Sequence, residues 1–124
     1  MTMRDSISAA RKSGPLPQAD GANLFEFNFA ASDATFAGHF PGRAILPGIF
    51  QLEIVRVAAE WIHDCKFSVS EISKSKFQRP ILPDEPVKLE LKLSDAGGMI
   101  SARADFSVNG QPAGETLLQL CRCE

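Results

Sequence analysis

Apolar and polar positions divide the first half of the chain into two patterns. In NLFEFNFA the phenylalanines Phe25, Phe27 and Phe29 occupy every second position, which is the period of a strand with one buried face. From Gly48 to about His63 the chain contains no further glycine or proline, and apolar residues occur at nearly every angle around a helix. This segment predicts a helix that is buried on most sides.

Four more strands are predicted after this helix. KFSVSEISKSKF alternates and then changes phase at Ile72, whereas PVKLELKLS and MISARADFSV keep a period of two. DAGG marks a turn, and the Asn-Gly pair at residues 109–110 is a strong hairpin signal before a last strand at about residues 113–122. The order predicts an α+β fold in which an antiparallel sheet of about five strands wraps around one central helix.

The start of the chain lacks such periodicity. Residues 5–22 are polar and contain glycine and proline, so we expect residues 1–22 to be a flexible or loosely packed leader. Residues 23–124 are expected to form a single domain. An open sheet of this size leaves edge strands with unpaired backbone groups, which a second copy of the chain could cover. The pattern therefore favours a dimer.

Composition and charge narrow the classes of function. With 44% hydrophobic residues, 23% charged residues and a net charge of -2, the chain lacks the basic excess of a nucleic-acid-binding protein. No apolar stretch approaches the roughly 18 residues of a spanning helix, and the start lacks the apolar core of a signal peptide, so we expect a cytoplasmic protein without membrane contact. The three cysteines form neither an even disulfide framework nor a metal-binding cluster.

The stretch GHFPGRAILPGIFQLE, residues 38–53, contains two ionisable side chains, His39 and Glu53. A histidine can hold or release a proton near neutrality, but a single histidine is more often a hydrogen-bonded loop residue. Glu53, Arg56 and Glu60 share one helix face, which is typical of a solvent-facing row of ion pairs. Taken alone, these residues leave the catalytic and the structural interpretation open.

Three segments together carry a resemblance to a known family. FAGHFPGRAILPGIFQLE, KFQRPILPDEPVKLEL and SVNGQPAGE are similar to the motifs of the 3-hydroxyacyl-acyl carrier protein dehydratases, the FabZ/FabA-like hotdog-fold enzymes of fatty-acid and polyketide synthesis. The resemblance covers about residues 25–120. It implies dehydration of 3-hydroxyacyl thioesters to trans-2-enoyl thioesters, with the substrate carried on the phosphopantetheine of acyl carrier protein and no metal or other cofactor.

The resemblance also implies a role for individual residues. His39 matches the catalytic base, Glu53 the catalytic carboxylate on the central helix, and Gly48 the residue whose backbone N–H faces the thioester oxygen. The implied site is shared by two subunits of a homodimer, with His39 of one chain facing Glu53 of the other. The residues expected to contact the substrate or the carrier protein are Phe40, Pro47, Arg43, Lys76 and Arg79.

Some positions depart from the family pattern. Ala44 replaces a proline, the helix reads EIVRVAA where EAMAQ is common, and the usual N-terminal helix is expected to be short or missing. These departures favour a specialised member, for example in polyketide or aryl polyene synthesis. The alternative functions are a hotdog acyl thioesterase and a catalytically weak partner subunit that binds carrier protein. The alternative assemblies are a higher oligomer and a heterodimer with a paralogue.

Arg56 is the departure with the most direct consequence for the chemistry. It stands where the family usually has a small residue, and a guanidinium near Glu53 would favour the ionised carboxylate, which is a poor proton donor. We expect Arg56 to turn toward Glu60 and leave Glu53 free. In the other arrangement Glu53 acts as an acceptor and His39 carries the proton.

Overall fold

The protein is described by a computed structural model that covers residues 2–32 and 46–123. The described residues form two helices and one six-stranded antiparallel sheet, in the spatial order β1-β2-β4-β5-β6-β3. The elements are α1 (Met3–Ala10), β1 (Arg11–Pro17), β2 (Asn23–Asn28), α2 (Gly48–His63), β3 (Phe67–Phe77), β4 (Pro86–Ala96), β5 (Met99–Val108) and β6 (Gln111–Arg122).

The α+β class and the central helix are confirmed. The predicted helix has the expected bounds, and all five predicted strands are present as β2 to β6. The phase change expected at Ile72 coincides with irregular pairing of β3 with β6, between Val69 and Glu71 and again between Ile72 and Lys74. Neither helix of the described ranges is long and apolar enough to cross a membrane.

The expectation of a loosely packed leader was wrong, and the sheet has six strands rather than five. Thr2 caps α1: its hydroxyl accepts the Asp5 N–H at 3.1 Å, and the Asp5 carboxylate accepts the Thr2 N–H at 3.0 Å. Ile7 and Ala10 are buried, and β1 pairs with β2. The segment expected to be a leader thus contains a short helix, α1, and the edge strand β1.

The core lies between α2 and the inner face of the sheet. Three consecutive residues of α2, Val57, Ala58 and Ala59, are completely buried, which is what a helix with apolar residues at nearly every angle requires. The half-buried Trp61 lies against the rings of Phe25 and Phe27 at centroid distances of 6.0 and 6.3 Å. The core of the sheet thus holds α2 in place from its centre to its last turn.

The two edges of the sheet differ. Strand β1 carries Pro15 and Pro17, which cannot donate to a neighbouring strand and so protect that edge. Strand β3 has no proline, and every residue from Ser68 to Phe77 is exposed. Because successive side chains point to opposite faces, neither face of β3 is covered by the residues that the structure describes.

Candidate functional site

Gly48 is the first residue of α2, and the ring of Phe77 lies close against its backbone. A Cβ at this position would lie 2.8 Å from Cε2 and 2.9 Å from Cζ of the Phe77 ring, closer than real Cβ contacts permit. The first N–H groups of a helix have no acceptor within the helix and lie at its positive end. One of them, the Phe50 N–H, donates at 3.0 Å to the carbonyl of Pro47, the N-cap residue before the helix. The Gly48 N–H belongs to the same group, so an acceptor for it must come from outside the helix.

The start of α2 opens onto a pocket of about 330 Å³. Its lining residues are Leu46, Gly48, Gln51, Phe77, Gln78, Arg79 and Pro80. The pocket thereby brings together two of the predicted site residues, Gly48 and Arg79, while Pro47 is the N-cap of α2. Glu53 lies about 140° further around the helix than Gly48 at 3.6 residues per turn, so one chain does not bring these two residues to the same pocket.

Gln51 is a pocket residue that the sequence interpretation missed. Its side chain is buried, with a residue exposure of 2%, and its Oε1 has no hydrogen-bond partner among the described residues. This oxygen lies against Gly114 of β6, where a Cβ would overlap it. The only signal in the sequence is a polar residue at an inward-facing position of an apolar helix.

Glu53 is engaged by Arg56 within the same helix. Arg56 Nε donates to Glu53 Oε2 at 3.1 Å, and Arg56 Nη2 donates to Glu53 Oε1. Arg56 Nη1 donates to Glu60 Oε2 at 2.9 Å and to the Phe67 carbonyl at 3.1 Å. The Glu60 pairing is confirmed, but the expectation that it leaves Glu53 free was wrong, because the planar guanidinium reaches both carboxylates.

Glu60 is a buried hydrogen-bond acceptor. The helix pattern had indicated a solvent-facing row of ion pairs, and for Glu60 that interpretation was wrong. Its side chain is 4% exposed, and it accepts the Phe67 N–H at 2.8 Å and a hydrogen bond from Arg4 of α1. Burial by itself raises the pKa of Glu60, but the Phe67 N–H, Arg4 and Arg56 together outweigh that effect and lower the pKa. The Glu53 carboxylate, through its hydrogen bond, raises the pKa of Arg56.

The predicted carrier-binding cations have different surroundings. Lys76 is exposed on β3, whereas Arg79 donates to both carboxylate oxygens of Glu85 at 3.0 and 2.9 Å. Glu85 Oε1 also accepts the Leu82 N–H at 2.9 Å. His39, Phe40 and Arg43 lie outside the described residues. Arg79 therefore presents a neutralised charge at the pocket, and Lys76 an accessible one.

These groups can do two things chemically. An N–H at a helix N-terminus can stabilise negative charge that develops on a carbonyl oxygen, and an ionised carboxylate can accept hydrogen bonds. Within residues 2–32 and 46–123, no cluster of three or more histidine, cysteine, aspartate or glutamate side chains could hold a metal ion. Proton transfer near neutrality is the task predicted for His39.

Known proteins resemble this chain in sequence and in fold. Residues 17–115 match the family model described as ApeI-like, ApeI dehydratase. The 3-hydroxyacyl-acyl-carrier-protein dehydratase FabZ of Haemophilus influenzae is 32% identical over 104 residues, which cover 77% of this chain and 70% of that protein.

The similarity extends to solved structures. A chain of the dehydratase heterocomplex ApeI:P from Xenorhabdus doucetiae superposes with a TM-score of 0.72 at 24% identity, covering 89% of this chain and 100% of that one. A probable thioesterase from Bartonella henselae gives 0.66 at 14% identity, covering 84% and 91%. The six-stranded antiparallel sheet around a long helix is thus a hotdog fold.

Proposed function

Because this chain belongs to the ApeI-like dehydratase family, we propose that it removes water from 3-hydroxyacyl thioesters carried on acyl carrier protein and releases trans-2-enoyl thioesters. The observation that carries the proposal is the start of α2. There Gly48 presents the positive end of a long helix to a pocket that the Phe77 ring also lines. A thioester oxygen that accepts the Gly48 N–H gains stabilisation as enolate charge develops on it.

The proposed reaction transfers one proton in two steps. His39 removes the proton from C2, electron density moves toward the carbonyl oxygen at Gly48, and the C3–O bond breaks as His39 returns the proton to the departing hydroxyl. The products are the enoyl thioester and water. Histidine suits both steps because its ordinary pKa of about 6.5 lets it act as base and then as acid.

Glu53 has an acceptor role in this proposal. Arg56 donates to each of its oxygens, so both oxygens already act as acceptors. Each carboxylate oxygen has a second lone pair, which can accept a hydrogen bond from the protonated His39 of a partner subunit. Glu53 then stabilises the imidazolium that donates the proton, and it does not act as the proton donor itself.

The proposed assembly is a dimer that binds acyl carrier protein. The exposed strand β3 carries Val69, Ile72 and Phe77 at exposures of 38%, 51% and 51%, and a second copy or a paralogous subunit could cover these side chains and the open edge. A known structural relative is itself a dehydratase heterocomplex. Lys76 and Arg43 are the residues proposed to attract the acidic carrier protein, and Arg79 is the third candidate.

The test is incubation of the purified protein with 3-hydroxyacyl and enoyl thioesters of carrier protein, with the products followed by mass spectrometry. We expect the acyl group to lose or gain the mass of one water. In the His39→Ala variant the rate of turnover should fall by roughly 10²- to 10⁴-fold. Release of the free carrier-protein thiol would identify a thioesterase instead. A wild-type protein without turnover would contradict the proposal and support a partner subunit.

A partner-subunit role is the second candidate, because Arg56 occupies both oxygens of Glu53. In that case the chain gains activity only when it is mixed with an active paralogue. Copurification followed by the same assay separates this role from that of an independent enzyme.

A further inference from the structure

The orientation of the Arg56 guanidinium is determined from two sides. On one side Nε and Nη2 donate to Glu53, and on the other Nη1 donates to Glu60 and to the Phe67 carbonyl. All three nitrogens therefore have acceptors. A guanidinium is planar and carries its donors in a fixed fork, so the position of Glu60 determines the direction in which the other donors meet Glu53.

Glu60 is itself held by groups from three parts of the fold. Its Oε2 accepts the Phe67 N–H, which comes from the first residue of β3, and Arg56 Nη1 from α2. Its Oε1 accepts Arg4 from α1. With the side chain 4% exposed, such a carboxylate is costly to bury unless it is fully paired. The cluster of Arg4, Glu53, Arg56 and Glu60 contains two cations and two anions.

We propose that Glu60 is a positioning residue that, through Arg56, holds the Glu53 carboxylate in its acceptor orientation. The proposal rests on the proposed function, in which Glu53 serves the reaction as an acceptor. Without Glu60 the Arg56 side chain loses the buried partner that fixes it and gains rotamers. Glu53 then follows a mobile cation, and misplacement of a reacting group by about 1 Å can cost about 10² in rate.

The role extends to a part of the chain that precedes the family match. Arg4 lies on α1, and the matched segment begins at residue 17. The Arg4 side chain is 34% exposed, and its hydrogen bond to Glu60 goes to Oε1. Arg4 thus balances the charge of Glu60, whereas the Oε2 side fixes the direction of Arg56.

This asymmetry makes Glu60→Gln an informative substitution. The amide oxygen can take the place of Oε2 and still accept from Phe67 and Arg56. The amide NH₂ would then face Arg4, which can turn to solvent because of its exposure. Glu60→Ala, in contrast, removes both acceptor oxygens. The matched controls are Glu115→Gln and Glu115→Ala. Glu115 of β6 pairs with Lys74 of β3 at 2.9 Å, outside the cluster.

The experiment measures kcat and KM with short pantetheine thioesters, together with hydrogen exchange of the Arg56 Nε–H by ¹⁵N NMR. We expect Glu60→Ala to lower kcat by about 10- to 100-fold with an unchanged KM, and to speed up exchange of the Arg56 Nε–H. Glu60→Gln should keep slow exchange and a kcat within about threefold of the wild type. Both Glu115 variants should match the wild type.

Arg56→Lys is a second variant, and it tests the guanidinium without changing Glu60. Lysine keeps the positive charge but lacks the planar fork of donors, so it cannot hold the Glu53 carboxylate from the same direction. We expect kcat to fall while KM stays unchanged.

The results separate the positioning role from the proposed function. The positioning role would be refuted if Glu60→Ala keeps the wild-type kcat although its Arg56 Nε–H exchanges fast. It would also be refuted if Glu60→Ala and Glu60→Gln lose kcat equally. If Glu60→Ala does not fold, Arg56→Lys decides, and a wild-type kcat in that variant overturns the proposal. A wild-type protein with a protected Nε–H and no turnover would refute the proposed function instead.

Discussion

Gln51 shows how one side chain can be buried at a cost in free energy. Its oxygen lies between α2 and β6 without a donor among the described residues, and an unpaired buried polar group costs about 1–3 kcal/mol. Gly114 leaves the space for that oxygen, because any Cβ there would overlap it. The geometry of two residues that are distant in sequence thus permits a polar group inside an apolar contact.

Replacing Gln51 with methionine should therefore stabilise the protein. Methionine has nearly the same length and shape, and the free energy of unfolding should rise by about 1 kcal/mol, measured by urea denaturation. Gln119→Met is the control, because Gln119 is half-buried and donates to Ser101 at 3.4 Å, so no gain is expected there. A lower unfolding free energy for Gln51→Met would mean that the amide is paired in solution.

At the scale of elements, side chains of α2 bind the backbone at the start of β3 and so fix the connection between the two. Helix α2 ends at Asp64, which has a left-handed φ of 51° and donates its N–H to the Glu60 carbonyl. The Glu60 carboxylate then accepts the Phe67 N–H, and Arg56 donates to the Phe67 carbonyl. Both backbone groups at the start of β3 are thereby bound to α2, so the cluster around Glu53 also fixes the first residue of the exposed strand.

This connection should make stability depend on pH. The pKa of Glu60 in the folded protein lies below its ordinary value of 4.5, so its ionised form stabilises the fold above about pH 4.5, and this contribution is lost as the pH falls through the lower, folded value. Between pH 7 and about pH 3, the unfolding free energy of the wild type should fall more than that of Glu60→Gln.

Urea denaturation at several pH values measures this difference. Glu90→Gln, on the exposed face of β4, should retain the wild-type dependence on pH. Parallel decreases in the wild type and Glu60→Gln would show that other groups dominate the acid sensitivity.

At the scale of the whole molecule, the sheet formed by residues 2–32 and 46–123 has one protected edge and one open edge. Prolines block pairing along β1, while β3 exposes backbone and apolar side chains over its length. An open edge of this kind favours association with another strand. The proposed dimer follows from this asymmetry, and it would place the pocket at the start of α2 close to the subunit interface, because Phe77 of β3 lines that pocket.

Subunit mixing tests whether the site is shared. If His39 and Glu53 act from different chains, His39→Ala and Glu53→Ala proteins should each be inactive, and a mixed dimer should regain one intact site. Activity is measured after subunit exchange has been verified by native mass spectrometry. Two inactive parents that form a mixed dimer without activity would place both residues in one chain.

The sequence alone determined those features that depend on local periodicity. The apolar run from Gly48 to His63 and the alternation in β2, β4 and β5 set these elements, because burial of one face requires a regular repeat. The phase change at Ile72 even located the irregular pairing of β3. The motif segments, which are ordered along the chain, were sufficient to identify the family.

Only the tertiary structure decided the features that arise from contacts between distant segments. Helix α1 and strand β1 have little pattern of their own. Strand β1 is held by its pairing with β2, and Arg11 at its start lies over the Trp61 ring at 4.0 Å from the centroid. The Phe77 ring of β3 occupies the space that a side chain at Gly48 would need. Glu60 is buried because α1 and β3 cover it, and helix periodicity alone cannot show which neighbours a charged face will meet. For the same reason, only the folded chain could show that one arginine binds both carboxylates.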